Sequence, residues 1–153
     1  MQAEFAFTLN GQATTVRAEP AQSLLETLRD TCGLKATRLG CGMGQCGACT
    51  VLLDGEAVHA CDTSIEVAAG RAVLTVEGLG NRAAPHPLQL AFVEEQALQC
   101  GFCTSGMLMR SAALLQRNPH PSEDEIRQAL DGNLCRCGVH NRVVRAVRKA
   151  AKA

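Results

Sequence analysis

Apolar and polar residues alternate over Glu4-Phe5-Ala6-Phe7-Thr8-Leu9, the period-two signature of a strand with one buried face. Asn10-Gly11 follows as a two-residue turn, and Thr14-Thr15-Val16-Arg17 is β-branched enough to return as the partner strand. Pro20 stops that strand. Ser23 and Glu26 form a capping box, and Leu24, Leu25 and Leu28 then share a face, so the pattern predicts a helix over residues 23–32. Thr50-Val51-Leu52-Leu53, a turn at Asp54-Gly55, and Ala57-Val58-His59-Ala60 predict a second hairpin. Val73-Leu74-Thr75-Val76 predicts a last strand, giving a small α+β domain.

The period then changes. Residues 88–98 carry apolar side chains at 88, 91, 92 and 98, and residues 104–116 carry Met107, Leu108, Ala112, Leu114 and Leu115. Ser122 and Glu125 form another capping box just after Pro121 and open a helix to about residue 131. Asn141 is placed to cap a final helix, with Val143, Val144 and Val147 on one face and Ala150-Ala151-Lys152-Ala153 as a frayed end. Four helices in this length predict a bundle. Between the halves, the stretch Gly78 to Pro87 is rich in Gly and Pro and reads as a connection. The boundary falls near residues 77–86: an α+β domain over 1–77, a linker over 78–86 and an all-α domain over 87–153.

Charge supports this division. The 153-residue chain is formally neutral, but residues 1–80 hold five Lys/Arg against nine Asp/Glu, a net of −4, and residues 81–153 hold ten against six, a net of +4. No apolar run approaches the roughly 20 residues that span a bilayer, so no direct membrane insertion is expected. The opening Met1-Gln2-Ala3-Glu4-Phe5 lacks the basic and apolar regions of an export signal, which points to the cytoplasm. With no Trp, no Tyr and four Phe, stacking on bases is scarcely available, and nucleic-acid binding is not expected.

Composition changes the picture at cysteine. There are nine, an odd number that prevents complete pairing within one chain. In a reducing compartment such cysteines bind metal more often than they form disulfides. Eight fall into two groups of four. Cys41, Cys46, Cys49 and Cys61 read C-x4-C-x2-C followed by C, the plant-type [2Fe–2S] spacing. Gly40, Gly42, Gly44 and Gly47 are interleaved, and glycine lets a backbone turn its N–H groups onto an anionic cluster. Zinc ribbons instead pair two C-x2-C knuckles, so iron–sulfur is favoured here. Cys100, Cys103, Cys135 and Cys137 form a C-x2-C and a C-x-C. Cys103 stands where a helix begins and its N–H groups are free. A turn at Cys135-Arg136-Cys137, flanked by Gly132 and Gly138, would bring both thiolates onto one centre. This second spacing alone suits zinc and iron–sulfur equally. Cys32 is left over and reads as a small packed side chain.

At these residues the chain resembles a known family. Gly40-Cys41-Gly42-x-Gly44-x-Cys46-Gly47-Ala48-Cys49-Thr50, Gln99-Cys100-Gly101-Phe102-Cys103 and Gly132-Asn133-Leu134-Cys135-Arg136-Cys137 occur in family order and spacing. They are similar to the small iron–sulfur subunit, or N-terminal iron–sulfur region, of the xanthine dehydrogenase and aldehyde oxidase family of molybdenum hydroxylases. The resemblance implies a β-grasp, ferredoxin-like domain followed by a four-helix bundle, each with one [2Fe–2S] cluster, and so assigns the second group to iron–sulfur as well. It implies a large partner subunit with a molybdenum–pterin cofactor, often the cytosine dinucleotide, that hydroxylates an N-heterocycle or aldehyde. Electrons would pass singly through the helical-domain cluster, then the ferredoxin-like cluster, to a flavin subunit or a cytochrome c. Cys137 and Gln99 match residues that contact the pterin.

Two departures narrow the resemblance. Flavin-linked members continue C-R-C with Thr-Gly-Tyr, where this chain has Gly138-Val139-His140, and they carry Pro where Ser105 stands. Both features resemble the isoquinoline- and nicotinate-oxidising type. In that type cytochrome c often takes the place of the flavin subunit, and the complex can be membrane-associated or periplasmic through a partner. The rival readings are a free-standing ferredoxin-type shuttle and a four-cysteine zinc interaction module. His59, His86, His120 and His140 are not needed as ligands beside two full sets of thiolates. His59 is expected near the first cluster's surface. The basic residues of the last helix, Arg142, Arg145, Arg148, Lys149 and Lys152, read as a solvated face or a contact for an acidic patch of the large subunit. Met43, Met107, Leu108 and Met109 read as packing.

Overall fold

In the computed structural model, which describes residues 1–152, hairpin strands β1 (Ala3–Leu9) and β2 (Gln12–Ala18) open the chain. Asn10 at φ 50° and Gly11 at φ 80° reverse it in the twisted turn that matches paired strands. The register sets Phe5 opposite Val16 and Phe7 opposite Thr14, so Phe7, Leu9, Val16 and Ala18 turn inward together. A second hairpin, β3 (Thr50–Leu53) and β4 (Glu56–His59), turns at Asp54 and Gly55 in the same way. Strand β5 (Ala72–Leu74) lies between the hairpins, parallel to β1 and antiparallel to β3, in the order β2-β1-β5-β3-β4. Ala72–Leu74 is shorter than the pattern Val73–Val76 predicts, because Val76 already starts a short helix.

Helix α1 (Leu24–Glu26) opens with the Ser23 hydroxyl accepting from the Glu26 N–H at 3.1 Å. It widens into a π-helical turn over Thr27–Thr31. Here the Thr27 hydroxyl donates to the Ser23 carbonyl at 3.1 Å, a local bond that competes with regular helix pairing. Leu24 and Leu28 are fully buried beneath the sheet with Val51 and Ile65. Two short helices, α2 (Ile65–Ala68) and α3 (Val76–Leu79), carried no periodic signal in the sequence. Val76 and Leu79 of α3 pack on the helical core.

Four helices follow: α4 (Pro87–Glu94), α5 (Thr104–Arg117), α6 (Glu123–Leu130) and α7 (His140–Ala150). Helix α4 stops short of Leu98. Gln96 sits at φ 49°, Ala97 N–H bonds to Phe92 O at 2.8 Å and Gln96 N–H to Val93 O at 3.1 Å, the two bonds of a Schellman stop. Glutamine holds the position where glycine is the usual signal, so the stop was not legible in the sequence. His86, rather than a hydroxyl residue, caps α4 by accepting from Leu88 N–H at 3.2 Å. Both halves of the Ser122–Glu125 box form. Asn141 does not cap α7: Val139 does by position, and Asn141 lies in the first turn, accepting from Arg127 at 3.2 Å. Ala151 and Lys152 form a turn after α7, and Ala153 lies outside the described residues.

Phe92, Met107, Ile126, Leu130, Val143 and Val147 form the helical core. The basic residues of α7 are largely engaged within the chain. Arg145 pairs with Glu95 at 3.2 Å, Lys149 with Glu94 at 2.7 Å and Arg148 with Glu123 at 2.8 Å. Such exposed pairs add little stability, but they neutralise most of the expected basic face. Met107, Leu108 and Met109 are buried, whereas Met43 is 61% exposed and so is not core packing. No helix among the described residues is long and apolar enough to cross a membrane. The sheet and bundle meet along α5, which packs on β3 and explains why all four β3 residues are buried.

Candidate metal centres

The loop from Gly40 to Cys49 is folded around its own sulfurs. Cys41 Sγ accepts from the N–H groups of Met43 at 3.4 Å, Gln45 at 3.3 Å and Cys46 at 3.4 Å. Cys46 Sγ accepts from Cys41 N–H and Cys61 Sγ from Gly44 N–H, both at 3.3 Å, and Cys49 Sγ from Cys61 N–H at 3.4 Å. Six main-chain donors thus face one set of thiols, as an anionic centre requires. Gly44 and Gly47 reach φ 67° and 74° to permit this. Gly40 is needed for room: a Cβ there would stand 2.6 Å from Cys46 Sγ. Cys61 arrives from the end of β4.

The second set is assembled from two distant segments. Cys100 and Cys103 flank the turn that starts α5, with Cys103 in the capping position. Cys135 and Cys137 lie on a non-strand bend before α7, and Gly138 turns it at φ 77°. This is the turn the sequence required for both thiols to reach one centre. Phe102 N–H donates to Cys100 Sγ at 3.5 Å.

Within each set the thiols act on one another electrostatically: Cys41 with Cys46, Cys49 with Cys61 and Cys46, Cys100 with Cys137 and Cys135, and Cys103 with Cys135 and Cys100. Among the described residues, no three His, Cys, Asp or Glu side chains are grouped for a single ion. Four thiols per set are the number a dinuclear cluster needs for each iron to take two thiolates. The donor chemistry therefore fits [2Fe–2S] at both places.

The thiols are unequal. Main-chain donors, led by Met43 N–H, hold Cys41 down to about 6, and Phe102 N–H lowers Cys100. Burial pushes Cys49 and Cys103 up to about 12. Burial also opposes ionisation of Cys135, but the N–H groups of Val139, Cys137 and Gly138 outweigh it and its net shift is downward. Cys32 lies half-buried against the first core, and burial raises its thiol. This matches a packing role.

His59 is half-buried beside the first set and faces Arg110 of α5 at 3.5 Å, with burial and then Arg110 lowering its pKa. Gln99 is exposed next to the exposed Cys100, whose thiol interacts with that of half-buried Cys137. Ser105 lies in the first turn of α5 with its hydroxyl buried and unpartnered. A cavity of about 860 Å³ runs between the sets, lined by Cys41, Cys46, Cys100, Cys103 and Cys135. Sequence reasoning assigned no role to Asn133 or Gly106, which lie where the two sets approach. Asn133 stood inside a quoted motif, but a contact with a loop 86 residues away leaves no local signal.

The comparisons agree with this geometry. Residues 7–75 match a 2Fe-2S iron-sulfur cluster binding domain, and residues 75–148 match a [2Fe-2S] binding domain. One of the subunits of nicotinate dehydrogenase from Pseudomonas putida is 51% identical over 152 residues, covering 99% of this chain and 97% of that protein. The alpha chain of isoquinoline 1-oxidoreductase from Brevundimonas diminuta is 48% identical over 147 residues, 95% of this chain and 96% of its own. The solved structure of quinoline 2-oxidoreductase from Pseudomonas putida 86 contains a chain that superposes with a TM-score of 0.95 at 40% identity, covering 99% of this chain and 95% of that one.

Proposed function

This chain belongs to the small iron–sulfur subunits of the molybdenum hydroxylases, and from that premise we propose how its residues serve the complex. As in that family, it is an electron-transfer subunit of an oxidoreductase, with two [2Fe–2S]-binding domains and a large catalytic partner. We assign one cluster to Cys41, Cys46, Cys49 and Cys61 in residues 1–77, and the other to Cys100, Cys103, Cys135 and Cys137 in residues 87–153, with 78–86 as the connection. The observation that supports the assignment is the cluster-like geometry: six main-chain N–H groups turned onto the sulfurs of Cys41, Cys46, Cys49 and Cys61, and Cys100, Cys103 and Cys135 facing one cavity. When bound, such a cluster takes up and releases a single electron.

The chain's own residues set where electrons enter and leave. Gln99 and Cys100 are exposed on the helical domain, and the Cys100 thiol interacts with that of half-buried Cys137. This region is our candidate contact for a molybdenum–pterin cytosine dinucleotide held mainly by the partner, with Gln99 and Cys137 touching it. Relatives named for nicotinate, isoquinoline and quinoline support an N-heteroaromatic substrate for that partner. The Cys41 rim, with Gly42, Met43 and Gln45 around it, is the candidate exit toward a flavin subunit or cytochrome c. Val139 and His140 favour the cytochrome, as does the similarity to isoquinoline- and nicotinate-type subunits. The place of action is the cytoplasm, or a membrane or periplasmic location reached through a partner. In the assembled enzyme, Cys46→Ser should abolish reduction of the acceptor while substrate still reduces the molybdenum centre. Acceptor reduction at the normal rate with the first cluster absent would contradict the proposed order.

A further inference from the structure

The loop of the first thiol set and the segment leading into Cys135 are joined by two hydrogen bonds. Two consecutive carbonyls of the first cluster loop are captured by two consecutive residues of the segment leading into Cys135. Leu134 N–H donates to Cys46 O at 2.9 Å. Asn133 Nδ2 donates to Gly47 O at 3.1 Å. Gly47 O also accepts from Thr50 N–H at 3.2 Å and from the Thr50 hydroxyl at 2.7 Å, so this carbonyl is fixed from both domains.

Asn133 is held through its side-chain Nδ2 and both of its main-chain polar groups. It is 1% exposed. Its N–H bonds to Leu130 O at 2.9 Å, and its carbonyl oxygen lies 2.7 Å from His140 Nε2. Sterics close the contact. A Cβ on Gly47 would stand 2.5 Å from Asn133 Nδ2 and 2.7 Å from Gly132 O, and one on Gly106 would collide with Gly47 O. Asn133 Oδ1 is buried without a partner. A buried amide left half-satisfied lowers stability, so packing alone does not explain an asparagine here.

We propose that Asn133 is a positioning residue that sets the separation and orientation of the two cluster sites by fixing Gly47, and with it Cys46, against the Cys135 segment. Its hydrogen bonds go to Gly47, Leu130 and His140 rather than to a thiol. It acts through main-chain atoms one residue from Cys46 on one side and two residues from Cys135 on the other.

This inference rests on the proposed cluster assignment, and its test separates the two. In the complete enzyme reduced with dithionite, Asn133→Leu removes the donor at nearly constant volume, and Asn133→Asp replaces the donor with an acceptor. Both variants should retain both iron–sulfur EPR signals. Both should lose much of the splitting that each reduced cluster imposes on the other, and electron equilibration between the clusters should slow. Signals and splitting identical to the parent would overturn the inference. Absence of two iron–sulfur signals from the parent would instead defeat the cluster assignment. Where a variant does not assemble, the parent protein decides by hydrogen exchange. The 46–48 and 132–135 segments should open together, and independent exchange would overturn the proposal.

Discussion

The two thiol sets reach the same end by different means. The first is wrapped by a single loop that supplies three of its four sulfurs and nearly all of its donors. The second joins two segments more than thirty residues apart, placed by the start of α5 and the bend before α7. A local loop needs glycine to turn around its centre, while a bundle uses helix ends it already has. Both sets nonetheless hold one thiol that main-chain N–H groups lower and one that burial raises, Cys41 against Cys49 and Cys100 against Cys103.

The comparison breaks first at the ligands. Cys49→Ser and Cys135→Ser should each abolish one iron–sulfur signal and spare the other, because each set is complete within its own domain. Loss of both signals in either variant would show that the sites do not form independently. A second test sharpens the shared inequality. In the iron-free protein Cys41 is mostly thiolate at pH 7, whereas Cys49 and Cys103 remain thiols. Since the thiolate is the nucleophile, iodoacetamide should label Cys41 first. The labelling rate should fall as pH drops through about 6, as followed by peptide mass spectrometry.

Core truncations measure the two frameworks. Leu28→Ala beneath the sheet and Leu130→Ala in the bundle remove fully buried side chains and should each cost about 2–5 kcal/mol. Denaturant unfolding monitored at each cluster should show the larger loss at the domain that carries the substitution. The smallest effect belongs to Cys32→Ala, which should leave both EPR signals unchanged. Loss of either would place Cys32 among the ligands.

The same contrast explains what was legible in the sequence. Both hairpins, the alternating β1 face and the first cluster loop are written in neighbouring residues: Asn10-Gly11, Asp54-Gly55 and the C-x4-C-x2-C spacing. The second set was chemically ambiguous from Cys100, Cys103, Cys135 and Cys137 alone, since its partners meet only in the folded bundle, and family resemblance supplied the assignment. Local signals also misled where an unusual residue did a common job. Gln96 ends α4 in a glycine's conformation, and His86 caps it in a hydroxyl's place. The bond from Asn133 to Gly47 was invisible because the fold alone brings those residues together.

The central claim is that this chain carries two distinct [2Fe–2S] centres, one on each set of four cysteines. The most direct measurement is EPR of the reduced, assembled enzyme, combined with iron and acid-labile sulfide analysis of the isolated chain. The account requires two resolved iron–sulfur signals of equal spin, with iron and sulfide equal to two per four-cysteine set. Zinc in place of iron, or a single signal with half that iron, would contradict it.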